Sequence, residues 1–347
     1  MRAGPRDAEG AMARIVRTDR ELEVPRVDAA LRDAGHELIL VGDGVSEEEL
    51  LRTVRDAVLL LMCYTPIPAR VIDSARRLRG IVKYGVGIDA IDIEAAKARG
   101  IPVVNVPEYA EETVAEGAMT LMLALAKKLK PVHKAMDDNG WVWPSAPWLG
   151  LDLAGKTLGL VGLGRIGTKV ARMARKGFRM RVLGFDPYVQ RAHFLEAGVE
   201  CRTDLHALAA ESDFLSVHCI LNADTRGLIG EPELAAMKPT AFLVNVSRGA
   251  IVNERALLRA LEEKRLAGAA LDVYSREPLT RTDHPLSALY SMDNVIVFPH
   301  LTFFTREAMQ RLEDEALERC FEILEGRPVL VKSDDPRLRG QRGTRQR

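Results

Sequence analysis

Short apolar runs rich in β-branched residues alternate with amphipathic stretches along the first hundred residues. The apolar runs predict strands, and the stretches between them repeat their apolar positions with the helical period. Because strands separated by helices pair in the same direction, this alternation predicts a parallel sheet covered by helices on both faces. The predicted strands are Ala13–Arg17, Glu37–Val41, Ala57–Cys63, Gly80–Lys83 and Pro102–Val106, and the helices include Ser46–Arg55, Pro68–Arg77 and Ile91–Arg99.

A second series of apolar runs and amphipathic stretches begins at Lys156. Its spacing predicts a second parallel sheet. The predicted strands are Thr157–Val161, Arg181–Phe185, Val199–Cys201, Phe214–His218, Ala241–Asn245, Ala269–Asp272 and Val295–Phe298. The last predicted helix, Thr305–Leu324, comes after this sheet is complete, so we expect it to return to the first domain.

Two segments of different character join the two series. Residues Glu111–Leu129 predict one long helix, because their apolar positions follow the helical period. Residues Asp137–Leu153 contain Gly, Pro and the three tryptophans Trp141, Trp143 and Trp148, with little periodicity. We predict an ordered arm there. Clustered exposed tryptophans are more typical of an interface than of a catalytic site.

Length, charge and cysteine content narrow the class of protein. The 347 residues fit two domains, and 49 Lys and Arg balance 49 Asp and Glu. Zero net charge argues against partners such as nucleic acid or an anionic membrane. No apolar run approaches the roughly 20 residues of a membrane span, and the four cysteines lack metal-type or redox-type spacing, so we expect a cytoplasmic enzyme. The polar terminal segments, residues 1–11 and 332–347, are expected to be disordered.

The sharpest motif runs from Gly162 to Gly167 and reads Gly-Leu-Gly-Arg-Ile-Gly. It follows an apolar strand, opens an amphipathic helix and precedes a second strand that ends at Asp186. Gly162 permits a tight turn, Gly164 lets the backbone approach a pyrophosphate, and Gly167 allows close packing of helix and strand. The free N–H groups of the helix N-terminus favour phosphate. This context predicts a dinucleotide-binding site.

The residue at the end of the second strand indicates which dinucleotide binds. The Asp186 carboxylate would accept hydrogen bonds from the adenosine ribose and would repel a 2′-phosphate. The residues after it are Pro187 and Tyr188, so no arginine stands beside it to bind that phosphate. The sequence therefore predicts NAD rather than NADP as the cofactor.

Charged residues follow three further predicted strands: Arg248, Glu277 and His300. Ligands of open α/β sheets bind outside the carboxyl ends of the strands, so these residues are expected to share one cleft with the nicotinamide. Hydride transfer needs a base for the hydroxyl proton, and His suits that role near neutral pH. Glu277 would fix the imidazole, and Arg248 would hold a carboxylate by a two-point fork. This set predicts interconversion of a 2-hydroxy acid and a 2-oxo acid.

The remaining histidines are weaker candidates for chemistry. His218 ends a predicted strand and is expected to line the cofactor pocket rather than to catalyse. We predict no metal site, because no His, Cys and Asp cluster has convincing ligand spacing. The histidines expected at the surface are His36, His133, His193, His206 and His284.

Several ordered motifs together resemble the D-isomer-specific 2-hydroxyacid dehydrogenases, over about Ala57 to Pro328. These motifs are Tyr84–Asp89, Thr113–Glu116, Gly162–Gly167, His218–Leu221, Asn245–Gly249, Asp272–Pro278 and Pro299–His300. The resemblance implies an α/β fold of two Rossmann-like or flavodoxin-like domains with parallel sheets, the cofactor domain being inserted into the substrate domain. It implies a substrate domain of residues 12–107 and 299–331, an NAD-binding domain of residues 108–298, and a homodimer joined through the cofactor domains.

The resemblance also assigns roles to individual residues. Backbone N–H groups of Val86 and Gly87, with the Arg248 side chain, would bind the substrate carboxylate. His300 would be the acid/base, and Glu277 would be its partner. The further cofactor contacts that it implies are Thr113, Arg165, Ile166, Cys219, Ile220, Thr225, Val246 and Asp272, the last two at the nicotinamide.

Two features bear on the substrate. Leu301–Thr305 follows the predicted base and contains two phenylalanines, where many members of the family carry small residues. This resembles the D-lactate dehydrogenase branch and suggests a less polar 2-oxo acid. Glu277 argues against the formate dehydrogenases of the same superfamily, which pair the histidine with an amide.

The leading hypothesis is therefore an NAD-dependent dehydrogenase of a small-molecule (R)-2-hydroxy acid. The alternative is a non-catalytic NAD(H)-sensing scaffold that resembles the C-terminal binding protein corepressors, which share the fold and retain the Arg, Glu and His set. Oxidation of phosphite or formate on the same scaffold is a third interpretation.

Overall fold

The computed structural model describes residues 12–346, and these form two compact units. One unit contains the residues up to Ala110 and those from Thr305 onward, and the other is Glu111–Phe304. The second unit is thus inserted into the sequence of the first. Among residues 12–346, no helix has the length and apolarity that a membrane crossing requires. The expectation for residues 1–11 lies outside the described residues.

The first unit contains a five-stranded parallel sheet with strand order β2-β1-β3-β4-β5. The chain runs from β1 outward to β2 and then returns to the other side of β1, which is the flavodoxin-like order. The strands are β1 (Arg14–Arg17), β2 (Glu37–Leu40), β3 (Leu59–Met62), β4 (Gly80–Lys83) and β5 (Val103–Asn105), and the helices between them are α1 (Pro25–Asp33), α2 (Glu47–Thr53), α3 (Ala69–Ser74) and α4 (Ile93–Ala98).

The second unit contains a seven-stranded parallel sheet with strand order β12-β11-β10-β9-β6-β7-β8. Its helices are α5 (Glu111–Ala126), α6 (Leu129–Asn139), α7 (Arg165–Phe178), α8 (Arg191–Ala197), α9 (Leu205–Glu211), α10 (Glu231–Ala236) and α11 (Glu254–Glu262). The strands are β6 (Thr157–Val161), β7 (Arg181–Phe185), β8 (Glu200–Cys201), β9 (Phe214–Val217), β10 (Phe242–Asn245), β11 (Gly268–Leu271) and β12 (Val295–Val297). The strand order reverses between β6 and β9, and ligands of such sheets bind in the crevice at that reversal.

The long helix predicted over Glu111–Leu129 is shorter in the structure. It ends at Ala126, Lys128 takes a left-handed conformation with φ of 50°, and α6 then begins. Pro131 gives the physical reason, since inside one continuous helix it would lack the N–H for the ladder. After the break, Pro131 lies in the first turn of α6, where that N–H needs no partner. Asp137 and the two residues after it, predicted as part of the arm, belong to α6.

The expectation that residues 332–347 are disordered is wrong for residues 332–346. After α12 (Arg306–Leu324), strand β13 (Val329–Val331) pairs with β14 (Thr344–Gln346). The buried side chain of Gln341 accepts a hydrogen bond from Val103 N (2.7 Å) and donates one to Val103 O (2.9 Å). The polar tail is ordered because its side chains satisfy backbone groups at the edge strand β5, which composition alone does not reveal.

Candidate active site

The glycine loop between β6 and α7 lies where backbone segments approach each other. Gly162 has φ of 96°, and a Cβ there would lie 2.5 Å from the Cys219 backbone nitrogen. A Cβ on Gly167 would collide with the Gly162 carbonyl oxygen. A Cβ on Gly164, directly before α7, would meet no described atom within 4 Å. Packing therefore requires glycine at positions 162 and 167. Open space lies at Gly164, where this motif is expected to bring a pyrophosphate to the helix N-terminus.

Asp186 lies beside this loop, at the end of β7. Its Oδ2 accepts a hydrogen bond from Leu163 N (2.9 Å), and its Oδ1 accepts one from Tyr188 N (3.0 Å). The Tyr188 ring is exposed, and its hydroxyl donates to Asp224 at 3.2 Å. The carboxylate thus connects β7 to the glycine loop. A ribose contact of Asp186 stays a prediction.

Three predicted cofactor contacts lie at the N-termini of α5 and α7. Thr113 is buried in the first turn of α5. Arg165 and Ile166 are half-buried at the start of α7, and the Arg165 guanidinium lies 3.4 Å from Glu111 Oε1. The contact between Arg165 and Glu111 joins the N-terminus of α7, which follows the glycine loop, to the N-terminus of α5.

The other predicted cofactor contacts follow β9 and β10, next to the glycine loop. Burial raises the pKa of the half-buried Cys219 thiol to about 12, whereas Ile220 is exposed and Val246 is buried. Thr225 is buried, and its hydroxyl donates to Ile220 O at 2.6 Å and accepts from Asn222 N at 2.8 Å. Thr225 therefore braces the loop that presents Ile220.

His218 stands at the end of β9 on the same edge of the sheet. Its Nε2 lies 2.8 Å from the Ser216 hydroxyl, and burial lowers its pKa to about 3. Its Nδ1 has no hydrogen-bond partner among residues 12–346. The imidazole is thus neutral at physiological pH, which fits a lining role better than proton transfer.

His300 and Glu277 form a hydrogen-bonded pair at the carboxyl ends of β11 and β12. His300 Nδ1 lies 2.9 Å from Glu277 Oε2, and Glu277 Oε1 accepts from Tyr274 N at 2.9 Å. Burial pushes the pKa of Glu277 up. The bonds from His300 and Tyr274 and the charge of Arg248 outweigh burial and hold that pKa below its usual value. An ionised carboxylate therefore orients the ring, with Nε2 on its opposite side.

Arg248 belongs to the neighbouring strand end, directly after β10. It is half-buried, and its Nη1 donates to Ser247 O at 2.8 Å. Gly249 packs its backbone against Tyr274, and a Cβ at that position would collide with the Tyr274 backbone. This close approach holds the loops after β10 and β11 together, so the three predicted catalytic residues share one edge of one sheet.

Asp272 is fully buried at the end of β11 and bonds to the His300 loop. Its Oδ1 accepts from Leu301 N (2.8 Å), and its Oδ2 accepts from Thr302 N (3.1 Å) and from the Thr302 hydroxyl (2.5 Å). Sequence reasoning missed Thr302. The sequence signal was the hydroxyl residue two positions after the predicted base. The nicotinamide contact of Asp272 stays a prediction.

Val86 and Gly87 lie in the other unit, in the loop after β4. Val86 is exposed, and its carbonyl accepts a hydrogen bond from Asn105 Nδ2 at 2.6 Å. Gly85 precedes them with φ of 154°, and a Cβ there would lie 2.7 Å from Lys83 Nζ. The loop is thus held by the Asn105 side chain of its own unit.

His284 corrects the expectation of a surface histidine. It is buried, its Nε2 lies 2.9 Å from Arg276 O, and its Nδ1 accepts from Leu286 N at 3.0 Å. It therefore links the residue before Glu277 to the chain that follows it. Within the described residues, no group of three or more His, Cys, Asp and Glu side chains could hold a metal ion.

Comparison with known proteins identifies the family. The model described as "D-isomer specific 2-hydroxyacid dehydrogenase, NAD binding domain" matches residues 119–302. A glyoxylate reductase of Korarchaeum cryptofilum is 38% identical over 299 residues, which cover 85% of this chain and 88% of that relative. The chain belongs to the D-isomer-specific 2-hydroxyacid dehydrogenase family, and the unit with the glycine loop contains its NAD-binding domain.

Two further comparisons show the range of the family. A D-3-phosphoglycerate dehydrogenase of Methanocaldococcus jannaschii is 39% identical over 82% of this chain, but the chain spans only 53% of that relative. The crystal structure of D-lactate dehydrogenase from Aquifex aeolicus with NAD and lactic acid is 28% identical, with a TM-score of 0.79 over 90% of this chain and 96% of that one. The predicted fold of two parallel α/β domains, one inserted into the other, is confirmed.

Proposed function

We propose that this protein is an NAD-dependent dehydrogenase that interconverts an (R)-2-hydroxy acid and its 2-oxo acid. The observation that carries the proposal is the 2.9 Å contact between His300 and Glu277, at the same sheet edge as Arg248 and the glycine loop. A carboxylate-bound imidazole is suited to move a proton on and off a substrate oxygen. The bound nicotinamide supplies or accepts the hydride.

His300 acts as acid in one direction and as base in the other. During reduction its Nε2 gives a proton to the carbonyl oxygen, and during oxidation it removes the hydroxyl proton. Glu277 stays ionised because its pKa is lowered, and its carboxylate fixes the orientation of the ring through the 2.9 Å contact with Nδ1. Arg248 binds the substrate carboxylate through its fork of N–H donors and so sets the orientation of the reacting carbon. The role of Val86 and Gly87 at that carboxylate is carried over from the family resemblance.

The cofactor is bound by the unit Glu111–Phe304. The glycine loop would bind the pyrophosphate. The Asp186 carboxylate would bind the adenosine ribose, and this carboxylate favours NAD over NADP. The substrate domain then corresponds to the other unit, close to the predicted ranges 12–107 and 299–331. None of the four cysteines, all within the described residues, forms a disulfide, which supports the reducing cytoplasm as its location.

The substrate is expected to be a small 2-oxo acid. This chain covers 88% of the length of the relative named glyoxylate reductase from Korarchaeum cryptofilum. Around the catalytic histidine, Leu301 and Phe304 are exposed, while Phe303 packs edge-on against the His300 ring at 6.1 Å. Exposed apolar side chains beside the base favour a substrate with a short, weakly polar side chain.

A panel of 2-oxo acids tests this function. We expect NADH oxidation with at least one of glyoxylate, pyruvate, 2-oxobutyrate or phenylpyruvate, and slower turnover with 3-phosphohydroxypyruvate and with NADPH. The measurement is the fall in NADH or NADPH absorbance in steady state. Tight NADH binding without turnover of any acid would contradict the enzyme and favour the NAD-sensing scaffold. Preference for NADPH would contradict the role of Asp186.

The tryptophan arm supports a homodimer as the working form. Trp141 and Trp143 are 63% and 77% exposed, and their rings meet edge-on at 6.1 Å. Adjacent exposed tryptophans are costly in water and typical of interfaces. We expect light scattering to give twice the 38.3 kDa chain mass, and the double change of Trp141→Ser and Trp143→Ser to give one chain mass. Leu195→Ser, an equally exposed apolar position on α8, is the matched control. A monomeric parent protein would overturn the proposal.

A further inference from the structure

We propose that Thr302 is a positioning residue for the reaction: its hydroxyl, bonded to Asp272, holds the backbone of the His300 loop in the conformation that presents the imidazole. This inference rests on the function proposed above for His300. It concerns Leu301 and Thr302, the residues after the base that bond to Asp272.

The backbone at His300 requires such support. Its φ is 58°, a left-handed backbone conformation that residues other than glycine rarely adopt. A residue in this region persists there only when the surrounding structure over-determines it. The bond between His300 and Glu277 fixes the ring, and other groups fix the backbone.

Those groups are the two amides directly after His300. Leu301 N and Thr302 N both donate to the Asp272 carboxylate, at 2.8 and 3.1 Å. Asp272 is itself fixed, because its N–H donates to Asn245 O on β10 at 2.9 Å. The loop is therefore clamped to the end of a central strand of the sheet.

The Thr302 hydroxyl provides the shortest contact in this clamp. It donates to Asp272 Oδ2 at 2.5 Å, and the other donor to that oxygen is an amide at 3.1 Å. Buried carboxylates depend on such donors, and removing one leaves an acceptor that water cannot reach. Without the hydroxyl, the Asp272 carboxylate keeps the two amide donors, at 2.8 and 3.1 Å.

Packing holds the Thr302 side chain in place. Thr302 is 7% exposed, and a Cβ on Gly117 of α5 would lie 2.6 Å from the Thr302 Cβ. The absence of a side chain at Gly117 leaves the space that the β-branched Thr302 occupies. The hydroxyl therefore keeps one direction, toward Asp272. Valine has nearly the same shape, so it can occupy this space without the hydrogen bond.

The test compares Thr302→Val with Thr302→Ser, which restores the hydroxyl. In Thr302→Val we expect kcat to fall roughly ten- to hundredfold, because small misplacements of catalytic groups have effects of this size. We also expect faster hydrogen exchange at the Leu301 and Thr302 amides in enzyme without substrate. Thr302→Ser should recover both quantities. Thr120→Val, which removes an exposed hydroxyl from α5, should change neither.

Other results with these variants would overturn the positioning role of Thr302 or the function proposed for His300. Unchanged kcat or unchanged exchange in Thr302→Val would overturn the positioning role, and so would a serine variant that behaves like valine. If the valine variant does not fold, Thr302→Ala is measured in its place, since it can only create space. Turnover retained by His300→Ala would defeat the proposed function instead, and the exchange experiment would still report on the clamp.

Discussion

Replacing His300 by alanine is expected to lower kcat by about 10²–10⁴-fold while leaving NADH affinity unchanged. The imidazole is held 2.9 Å from Glu277 at the ends of β11 and β12, whereas the glycine loop follows β6. The variant thus removes the proposed proton donor and leaves the glycine loop intact. Steady-state NADH oxidation gives kcat, and fluorescence titration of the protein with NADH gives the affinity.

Two further variants serve as controls for the His300→Ala experiment. His206→Ala removes an exposed imidazole from α9 of the same unit and should leave kcat unchanged. Glu277→Gln keeps a hydrogen-bonding group but removes the carboxylate charge beside the ring. We expect kcat to fall while NADH affinity stays unchanged. Retained turnover in His300→Ala would show that another group carries the proton.

Local sequence patterns predicted the sheets because each strand is short, apolar and bounded by polar residues. All twelve strands of the two parallel sheets lie within two residues of their predicted ranges. The carboxyl ends of parallel strands meet at one edge, so Arg248, Glu277 and His300 could be grouped without coordinates. Each of these residues lies within six residues of the end of a parallel strand, so the strand pattern predicted its place at the sheet edge.

Features that depend on contacts between residues far apart in the sequence could not be predicted from local patterns. The position of His284 looks polar in the sequence, yet the chain folds back so that Arg276 and Leu286 bond both ring nitrogens. Gln341 sits in a basic, polar tail, and only the edge of β5 reveals its partner, Val103. Composition describes what a segment would do alone, and it cannot register a buried partner elsewhere in the chain.

The His300 loop shows the same limit within the active site. Its aromatic residues suggested a substrate preference, whereas the only signal at Thr302 was a hydroxyl two positions after the predicted base. The threonine matters because Asp272, thirty positions earlier, places a buried carboxylate beneath it. Short motifs identify the groups that react, while the groups that hold them are found by following the hydrogen bonds.

Replacing Arg248 by alanine is expected to raise KM for the 2-oxo acid and to lower kcat/KM. A charge-assisted, two-point contact to a carboxylate contributes about 3 kcal/mol, which corresponds to roughly a hundredfold in kcat/KM. Arg248→Lys should recover only part of this loss, since an ammonium keeps the charge but lacks the planar fork. Both constants follow from initial rates over a range of 2-oxo acid concentrations at saturating NADH.

Arg259→Ala provides the matched control for Arg248, because it removes an exposed arginine that pairs with Glu231 on the same unit. It should leave kcat/KM unchanged. Arg248 also helps to hold the pKa of Glu277 below its usual value, so its loss acts on the proton donor as well as on the substrate. We therefore expect kcat to fall together with affinity. A rise in KM alone would limit the role of Arg248 to substrate binding. Unchanged KM and kcat would show that Arg248 does not bind the substrate carboxylate.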